Sequence, residues 1–333
     1  MRAAAGELDI LGIGNAIVDV LAHAEDEVIQ GHGLPKGSMT LIDAERADAL
    51  DAALRSPTTS PGGSCANTVA AAASFGSEVA YIGKVCADPL GESFTRDIRA
   101  AGVRFGTAPL DGRPATARSV IMVSPDGQRT MSTYLGACAE LGPSDIDPEL
   151  VGSARVTCLE GYLWDQPRSA EACNAAIEAA RANGRRVALT LSDTFCVERH
   201  REEFLALVEG GADVLLANEG ELCALFGTEN AEEALERAAA HCPSTAVTRG
   251  PKGSVVSYGD GFHEVPAEPV AEVVDTTGAG DAYAAGFLHG LARGLEPPVC
   301  ARLGSIAAAE VISHVGARPQ VSLAELAAPA LEG

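Results

Sequence analysis

A glycine-rich segment that leads into a predicted helix has the residue types needed to bind and transfer a phosphoryl group. It reads Asp-Thr-Thr-Gly-Ala-Gly-Asp over residues 275–281 and precedes an apolar helical stretch over 282–293. Such a turn directs several backbone N–H groups at one point, where the helix dipole also favours negative charge. Asp281 can then act either as a helix cap or as the base for an attacking hydroxyl. Glycines on both sides of Ala279 favour the second role, because they are costly to order unless the backbone must approach a ligand.

Two further polar segments stand at predicted helix starts. Pro-Gly-Gly-Ser-Cys-Ala-Asn, over residues 61–67, leads into an alanine-rich helix over 68–75. A Gly-Gly pair in that position is usually only a turn. Asn-Glu-Gly-Glu, over residues 218–221, follows a buried β-run, and acids there commonly form a solvated helix start that complements the dipole. Neither segment indicates a function by itself.

The elements that would position these segments alternate between strand and helix. β-branched runs alternate with helical stretches that include residues 169–183 and 231–241, and the first of these helices ends in Asn183-Gly184, a normal stop. Repeated strand–helix–strand units with short connections predict a parallel sheet covered on both faces. The predicted strands of this doubly wound α/β fold are residues 8–14, 155–159, 186–191, 213–217 and 245–248.

A different pattern interrupts this alternation between residues 105 and 136. The runs 117–123 and 128–134 flank Ser-Pro-Asp-Gly, a turn sequence, and therefore predict an antiparallel hairpin. Residues 38–42 could add a strand to it. We therefore predict a large α/β domain and a small β lid. The large domain takes residues 1–15, 61–104 and 137–333, and the lid takes residues 16–60 and 105–136.

The composition excludes several classes of protein. With 24 Lys and Arg against 46 Asp and Glu, the formal net charge of −22 argues against nucleic acid or an anionic membrane as a partner. Nine dispersed cysteines argue against a disulfide framework and a structural zinc site. The N-terminus lacks the apolar core of a signal peptide, and no run of 18 apolar residues occurs. We therefore expect a cytoplasmic protein.

The segment over residues 275–281 resembles the C-terminal signature of the ribokinase/PfkB kinases, and the likeness extends from Leu8 to about Ala317. Residues 61–67 resemble the N-terminal signature of the same family. The resemblance implies an ATP-dependent kinase of ribokinase-like fold, in which Asp281 is the catalytic base. Within the two signatures it implies an anion hole and a set of residues that hold substrate hydroxyls: Gly278, Ala279 and Gly280 for the first, and Gly62, Gly63, Ser64 and Asn67 for the second.

The same resemblance implies where the nucleotide and metal bind. Asn218 and Glu221 match an Asn-x-x-Glu spacing that organises water around Mg²⁺ and the ATP phosphates, and Mg²⁺ characteristically keeps several waters. A segment resembling the family's nucleotide-binding loop supplies Thr248, Arg249, Gly250 and Gly253. A requirement for a monovalent cation stays open. Gly-Ile-Gly at residues 12–14 lacks the third glycine of a dinucleotide fingerprint, and residues 76–84 lack the spacing of a P-loop.

Adenosine kinases are the branch of the family that the sequence resembles most. Asn15 and Asp19 have their Asn-x-x-x-Asp spacing, and residues 189–195 resemble their Leu-Asn-Leu-Ser-Ala-Pro-Phe. Asp19 could accept two hydrogen bonds from a ribose diol, or it could simply cap after a strand. Rough alignment places four residues around the base: Thr40, Met131, Leu163 and Phe195. They are less uniformly apolar than an adenine slot requires, so a free sugar remains the alternative acceptor.

The predicted reaction is phosphoryl transfer from ATP to a primary hydroxyl, most simply the 5′-OH of adenosine to give AMP. Two other classes compete with it. An NAD-dependent dehydrogenase is disfavoured by the incomplete fingerprint near Gly12, and a non-catalytic nucleotide-binding regulator would have no chemical need for Asp281. The expected partners are the small-molecule acceptor and ATP. The chain is expected to be a monomer or a homodimer.

Overall fold

The computed structural model describes residues 7–126, 128–258 and 261–331. The residues outside these ranges include Gly127 of the predicted turn and the first six residues of the predicted N-terminal region. Within the described ranges, every helix is too short or too polar to cross a membrane.

Fourteen strands occur in the described part of the chain. Their bounds are β1 (Leu8–Ile13), β2 (Ile17–His23), β3 (Met39–Leu41), β4 (Thr58–Pro61), β5 (Val79–Ile82), β6 (Arg104–Phe105), β7 (Ala117–Val123), β8 (Arg129–Tyr134), β9 (Ala154–Glu160), β10 (Arg186–Thr190), β11 (Val214–Asn218), β12 (Ser244–Thr248), β13 (Ser254–Tyr258) and β14 (Gly261–Val265).

Thirteen α-helices accompany them over the same described residues. They are α1 (Asp26–Gly31), α2 (Ala44–Ala53), α3 (Ser64–Ser74), α4 (Pro89–Ala100), α5 (Pro148–Ser153), α6 (Pro167–Ala182), α7 (Thr194–Arg199), α8 (Arg201–Glu209), α9 (Glu219–Phe226), α10 (Ala231–Ala239), α11 (Ala279–Ala292), α12 (Pro297–Val311) and α13 (Leu323–Leu331). Short 3₁₀ turns span Gly136–Glu140, Pro143–Asp145, Gly161–Asp165 and Gly250–Lys252.

The larger sheet confirms the predicted doubly wound α/β fold. Its strand order is β14-β13-β12-β11-β10-β9-β1-β5-β6. The seven strands from β12 to β6 are parallel, and β13 and β14 add an antiparallel hairpin at one edge. The central strands are largely apolar because helices cover both of their faces; all four residues of β5, for example, are buried. The predicted strands of this sheet appear as β1 and β9 to β12.

Two apolar cores lie on opposite faces of this sheet. One joins α3, α4, α11, α12 and α13 to the sheet, and the other joins α5 to α10. Helix α11 is buried from Ala282 to Ala292, which is typical of a helix enclosed on all sides. It packs most extensively on α12 and also contacts α3, so its N-terminal turn is held beside the start of α3.

The smaller sheet has the order β3-β8-β7-β2-β4. The predicted hairpin is present as β7 and β8, paired antiparallel, and the predicted additional strand is β3. Helices α1 and α2 cover one face through Ile29, Leu50, Val120 and Met122. Side chains alternate along a strand, and residues paired across strands lie on the same face. The residues that alternate with Val120 and Met122, together with their partners, therefore form the other face, which includes Asp19, Arg129 and Met131. That face lies towards the larger sheet, because Arg129 pairs with Asp275 there.

Strands β1, β9, β10, β11 and β12 end at a common edge of the larger sheet because they are parallel. Ligands of open α/β sheets bind outside these carboxyl ends. The smaller sheet, which the chain enters directly after β1, stands over the same edge. The cleft between the two sheets is therefore where a substrate would be enclosed. The predicted boundaries of the lid stay a prediction.

Candidate active site

The three polar segments singled out in the sequence meet at this edge. A single cavity is lined by Ser64 at the start of α3, Asn218 and Glu221 at the start of α9, and Gly280 and Asp281 at the start of α11. The ends of β10 and β12 complete its wall with Thr190, Ser192 and Thr248. Three helix N-termini thus converge on one polar cavity, an arrangement suited to an anion.

The glycine turn before α11 is held in a conformation that requires glycine. Gly278 has a φ of 77°, and a Cβ built on it would lie 2.6 Å from the Cβ of Ala317. A Cβ on Gly280 would instead meet nothing within 4 Å, so its backbone faces open space. Helix α11 begins at Ala279, and the first N–H groups of a helix have no partner within it. The Ala279 N–H donates to the Thr276 carbonyl at 3.2 Å, so the open side of the turn lies at Gly280, and the anion hole stays a prediction.

Asp281 lies in the first turn of α11 and is held by two side chains from α3. The Ser64 hydroxyl donates to Oδ1 at 2.6 Å, and the Asn67 amide donates to Oδ2 at 3.1 Å. Burial raises the pKa of Asp281 above its usual range, and the hydrogen bonds from Ser64 and Asn67 and the nearby Arg318 cation oppose that shift. Such a carboxylate is positioned to accept a proton at the mouth of the anion hole.

Asp19 projects from β2 of the smaller sheet towards the other glycine segment. A Cβ on Gly62 would lie 2.6 Å from Oδ1 of Asp19, so the side chain fits only because that residue is glycine. Burial raises the pKa of Asp19 to about 7, with Arg129 and Arg318 opposing the shift and Asp281 adding to it. Gly63, with a φ of 89°, starts α3 beside them. The carboxylates of Asp19, on β2, and Asp281, on α11, therefore face one cleft.

Asn15 lies at this edge but its side chain is already engaged. It is buried and donates to Oε1 of Glu160 at 2.9 Å, while the Cys65 N–H donates to Oε2 of the same carboxylate at 2.9 Å. Burial raises the pKa of Glu160 to about 7, against hydrogen bonds that favour the charged form. The sequence interpretation missed Glu160, although an acid that ends a buried β-run was a usable signal.

Asn218 and Glu221 form a reciprocal cap at the start of α9. Asn218 Oδ1 accepts from the Glu221 N–H at 2.9 Å, and the carboxylate of Glu221 accepts from the backbone and side-chain amides of Asn218 at 2.9 and 2.6 Å. Burial raises the pKa of Glu221 to about 7, and Asp193 and Asp281 add to the shift. Both carboxylate oxygens have protein donors, so this pair fits a metal held through water better than one bound directly.

A mostly apolar groove continues from the cavity past the end of β12. Thr248, Gly250 and Gly253 line it together with Gly280 and Tyr283, which also border the polar cavity. The groove thus places three of the four predicted nucleotide-loop residues beside the glycine turn. Arg249 is turned to the antiparallel hairpin instead, where it pairs with Glu264 at 3.0 Å. Its place in the predicted nucleotide-binding loop therefore stays a prediction.

The two predicted base-binding residues of the lid lie on opposite faces of the smaller sheet. Thr40 pairs with Ser132, which in turn pairs with Val120 on the face covered by helices, so Thr40 does not face the cleft. Side chains alternate along a strand, so the neighbouring residue and not Thr40 is directed to the cleft, and the base contact itself stays a prediction. Met39 takes the cleft position and pairs with Met131.

The other two predicted base contacts come from the larger sheet. Leu163 is completely buried in the core beneath α6 and α7, so its side chain has no access to the cleft. Its predicted contact with a base is not supported. Phe195 lies at the start of α7, just beyond the carboxyl end of β10, and 72% of it is exposed. An aromatic ring so exposed at the site edge is available for a ligand.

Two arginines that the sequence interpretation missed join the glycine turn to its surroundings. Arg129, on β8 of the smaller sheet, pairs with Asp275 at the start of the turn. Asp275 also accepts from the N–H groups of Thr277 and Gly316, both at 3.0 Å. Arg318 donates from Nε to Oδ1 of Asn67 at 3.1 Å. Neither arginine lies in a recognisable motif, since each is far from its partners in sequence.

Comparisons with known proteins agree with this geometry. The model of the pfkB family carbohydrate kinase matches residues 37–323. The crystal structure of adenosine kinase from Sinorhizobium meliloti is 50% identical, with a TM-score of 0.92 over 97% of this chain and 99% of that one. A probable sugar kinase from Rhizobium etli CFN 42 is 46% identical, with a TM-score of 0.92 over 98% and 99%. Adenosine kinase of Saccharomyces cerevisiae is 28% identical over 91% of this chain and 94% of its own length.

Proposed function

Because the chain belongs to the pfkB family of carbohydrate kinases, and is therefore a phosphotransferase acting on a hydroxyl group, we propose that its acceptor is a nucleoside. The proposed reaction is transfer of the γ-phosphoryl group of ATP to the 5′-OH of adenosine, giving AMP and ADP in cytoplasmic purine salvage. The observation that carries the proposal is the pairing, in one cleft, of the buried Asp19 carboxylate with an apolar strip of the lid.

That pairing starts at Asp19, whose carboxylate is positioned beside Gly62 to accept hydrogen bonds from vicinal hydroxyls. On the same face of the small sheet, Met39 and Met131 form neighbouring thioether side chains. Thioethers adapt to irregular apolar shapes and contact aromatic rings favourably. Phe195 adds an exposed ring at the edge of the larger sheet. A sugar joined to a planar base uses both parts of this surface, whereas a free sugar uses only the first.

The catalytic step follows from the position of Asp281. Its carboxylate removes the proton from the 5′-OH as that oxygen bonds to the γ-phosphorus, and the bond from the γ-phosphorus to the β–γ bridging oxygen breaks. The backbone of Gly278 and Gly280 is proposed to face the charge that develops on the transferring group, while the Ala279 N–H donates to the Thr276 carbonyl at 3.2 Å. Ser64 and Asn67 keep the carboxylate aimed at the same point. Closure of the small sheet over the cleft excludes water, which would otherwise hydrolyse ATP.

ATP is proposed to occupy the groove beside Thr248, Gly250 and Gly253, with its phosphates towards Gly280. The family implies a divalent metal, and we propose Mg²⁺, held through water by Asn218 and Glu221. When bound, the ion neutralises charge on the nucleotide phosphates. The lining of the cavity supports this metal site. Glu221 and Asp281 both line the cavity, and Asp281 adds to the rise in the pKa of Glu221, so a bound cation would offset the repulsion between the two carboxylates.

The test is an ADP-release assay with ATP and Mg²⁺ over adenosine, inosine, guanosine, ribose, fructose and 2-keto-3-deoxygluconate. Turnover with adenosine at a kcat/KM at least ten times that for any free sugar is expected. Turnover confined to a free sugar would overturn the nucleoside assignment and leave the family, and the proposed role of Asp281, intact. Turnover with all three purine nucleosides would support the nucleoside class and exclude a strict selection of adenine.

A further inference from the structure

Arg318 is far in sequence from both glycine segments, yet it is the side chain that reaches their junction. It follows α12, in a stretch where the Gly316 N–H donates to Asp275 at 3.0 Å and Ala317 lies against Gly278. The backbone of this stretch therefore supports the glycine turn from behind. Its next side chain, Arg318, then extends to Asn67 on α3, with Nε 3.1 Å from Oδ1.

The chemistry of arginine determines how Asn67 is oriented. A guanidinium has five N–H donors and no acceptor, so the oxygen of the Asn67 amide must face Arg318. The amide nitrogen is then directed to Oδ2 of Asp281, at 3.1 Å. If the amide were turned over, its N–H groups would face a donor and its oxygen would face a carboxylate. Asn67 is buried, so water cannot compensate for such a mismatch.

We propose that Arg318 is a positioning residue of the phosphoryl-transfer reaction, which acts through Asn67 to fix and orient the carboxylate of Asp281. The inference rests on the proposed role of Asp281 as the base. With Ser64 on Oδ1 and Asn67 on Oδ2, each carboxylate oxygen keeps a lone pair for the acceptor proton, in a defined direction. Loss of Arg318 frees the amide to rotate and loosens that direction.

The charge of Arg318 acts on the same carboxylate. Most of the titratable groups around Asp281 are acidic: Asp19 from β2, Glu160 at the end of β9, Glu221 from α9 and the Cys65 thiol from α3, while the Arg129 cation from β8 is paired with Asp275. Against this background Arg318 lowers the pKa of Asp281, which burial raises. Removing the cation therefore raises the pH at which Asp281 becomes ionised. The acid limb of the activity profile should move to higher pH in the same direction.

The experiment compares Arg318→Gln, Arg318→Lys, Asn67→Ala and the Arg318→Gln/Asn67→Ala double variant with the wild type. Arg104→Gln, which removes an exposed arginine on β6, is the matched control and is expected to keep wild-type turnover. We expect Arg318→Gln to lower kcat about ten- to a hundredfold with little change in the acceptor KM, because orientation and not binding is lost. Its acid limb in kcat/KM should lie at higher pH than that of the wild type.

Lysine keeps the charge but not the planar donor, so Arg318→Lys should return the acid limb towards the wild-type position while kcat stays reduced. If Arg318→Gln lowers the thermal midpoint, Arg318→Lys still tests the inference, because it keeps a cation at this position. The double variant should be no slower than Asn67→Ala alone, because both changes break one relay. The inference would be overturned if the losses in kcat of the two single variants multiplied in the double variant, or if the acid limb of Arg318→Gln were unshifted.

Asp281→Asn, measured in the same assay, keeps the two levels of the argument apart. If Asp281→Asn is inactive and Arg318→Gln is unaffected, Arg318 has no positioning role and the base assignment stands. If Asp281→Asn turns over normally, the base assignment itself fails, and the relay has no catalytic group to orient. The proposed acceptor is not involved in either result, since the substrate panel tests it separately.

Discussion

The two ends of the cleft are built in different ways. At the proposed phosphate end, the predicted anion hole and base come from one contiguous segment, residues 275–281, to which α3, β8 and residues 316–318 add supporting contacts. At the acceptor end, the surface is assembled from alternate residues of separate strands, such as Asp19, Met39 and Met131. A contiguous site depends on local backbone conformation, whereas an assembled site depends on strand register. The first can accept little change, and the second can be altered residue by residue.

This contrast explains how one family serves several acceptors. Replacing a residue on the lid face is expected to change what the cleft binds and to leave the proposed transfer machinery in place. Replacing a residue of the glycine turn affects every acceptor equally. The two ends can therefore be distinguished by experiment, through kcat at one end and the acceptor KM at the other.

The largest effect is expected for Asp281→Asn, which keeps the shape of the side chain and removes its basicity. The loss of a general base should lower kcat by roughly a hundred- to ten-thousandfold. Steady-state ADP release measures this loss of kcat. The variant should still bind ATP, as measured by thermal shift. The exposed Asp111 supplies the control, because Asp111→Asn should behave as the wild type. Full turnover of the Asp281 variant would show that the phosphate end does not contain the base.

A smaller loss is expected when the turn itself is disturbed by Gly278→Ala. Gly278 and Gly294 have similar φ values, 77° and 74°, but a Cβ overlaps Ala317 only at Gly278 and meets nothing within 4 Å at Gly294. Gly294→Ala should therefore cost about 1–2 kcal/mol of unfolding free energy and leave kcat unchanged. Gly278→Ala should cost more and lower kcat about tenfold or more, as the turn moves. Urea unfolding and ADP release measure the two quantities, and equal behaviour of both variants would contradict a turn set by Ala317.

At the acceptor end, Met131→Ala and Thr40→Ala test the register of the lid. Met131→Ala removes apolar contact from the cleft face and should raise the KM for adenosine about tenfold, with kcat nearly unchanged. Thr40→Ala, one residue out of register on the helix-covered face, should leave that KM within about twofold. A larger effect at Thr40 than at Met131 would mean that the base lies elsewhere.

The same contrast shows what a sequence can predict. The parallel sheet, the lid hairpin and the helix that starts beside Asp281 follow from periodicity and turn residues, which act over a few neighbouring positions. Thr40 was misplaced because a one-residue shift reverses the face of a strand without changing its pattern. Arg129 and Arg318 meet the site from distant parts of the chain. Such long-range contacts leave no local signal, so only the folded structure reveals them.

The smallest expected effect is on thermal stability. It compares the two ends of the cleft by the free energy that burying a carboxylate costs at each. Burial raises the pKa of Asp19 from 3.8 to about 7, so the folded protein retains a proton that the unfolded chain has lost between these values. Stability contributed by the neutral form is therefore lost as the pH rises through 7. The advantage of Asp19→Asn in thermal midpoint should therefore be small at pH 5, where the unfolded wild type is already ionised, and should grow up to pH 8. At pH 8 the variant should unfold at the higher temperature, while its KM for adenosine is raised at both pH values through loss of the diol contact.

Asp111→Asn is again the control for this pH series, since an exposed carboxylate should give no such divergence. If the difference in thermal midpoint between Asp19→Asn and the wild type stays constant from pH 5 to pH 8, burial does not raise the pKa of Asp19. A growing difference would mean that the acceptor end keeps an unfavourable carboxylate for the sake of binding. The phosphate end avoids that cost in part, because Ser64, Asn67 and Arg318 all favour the ionised form of Asp281.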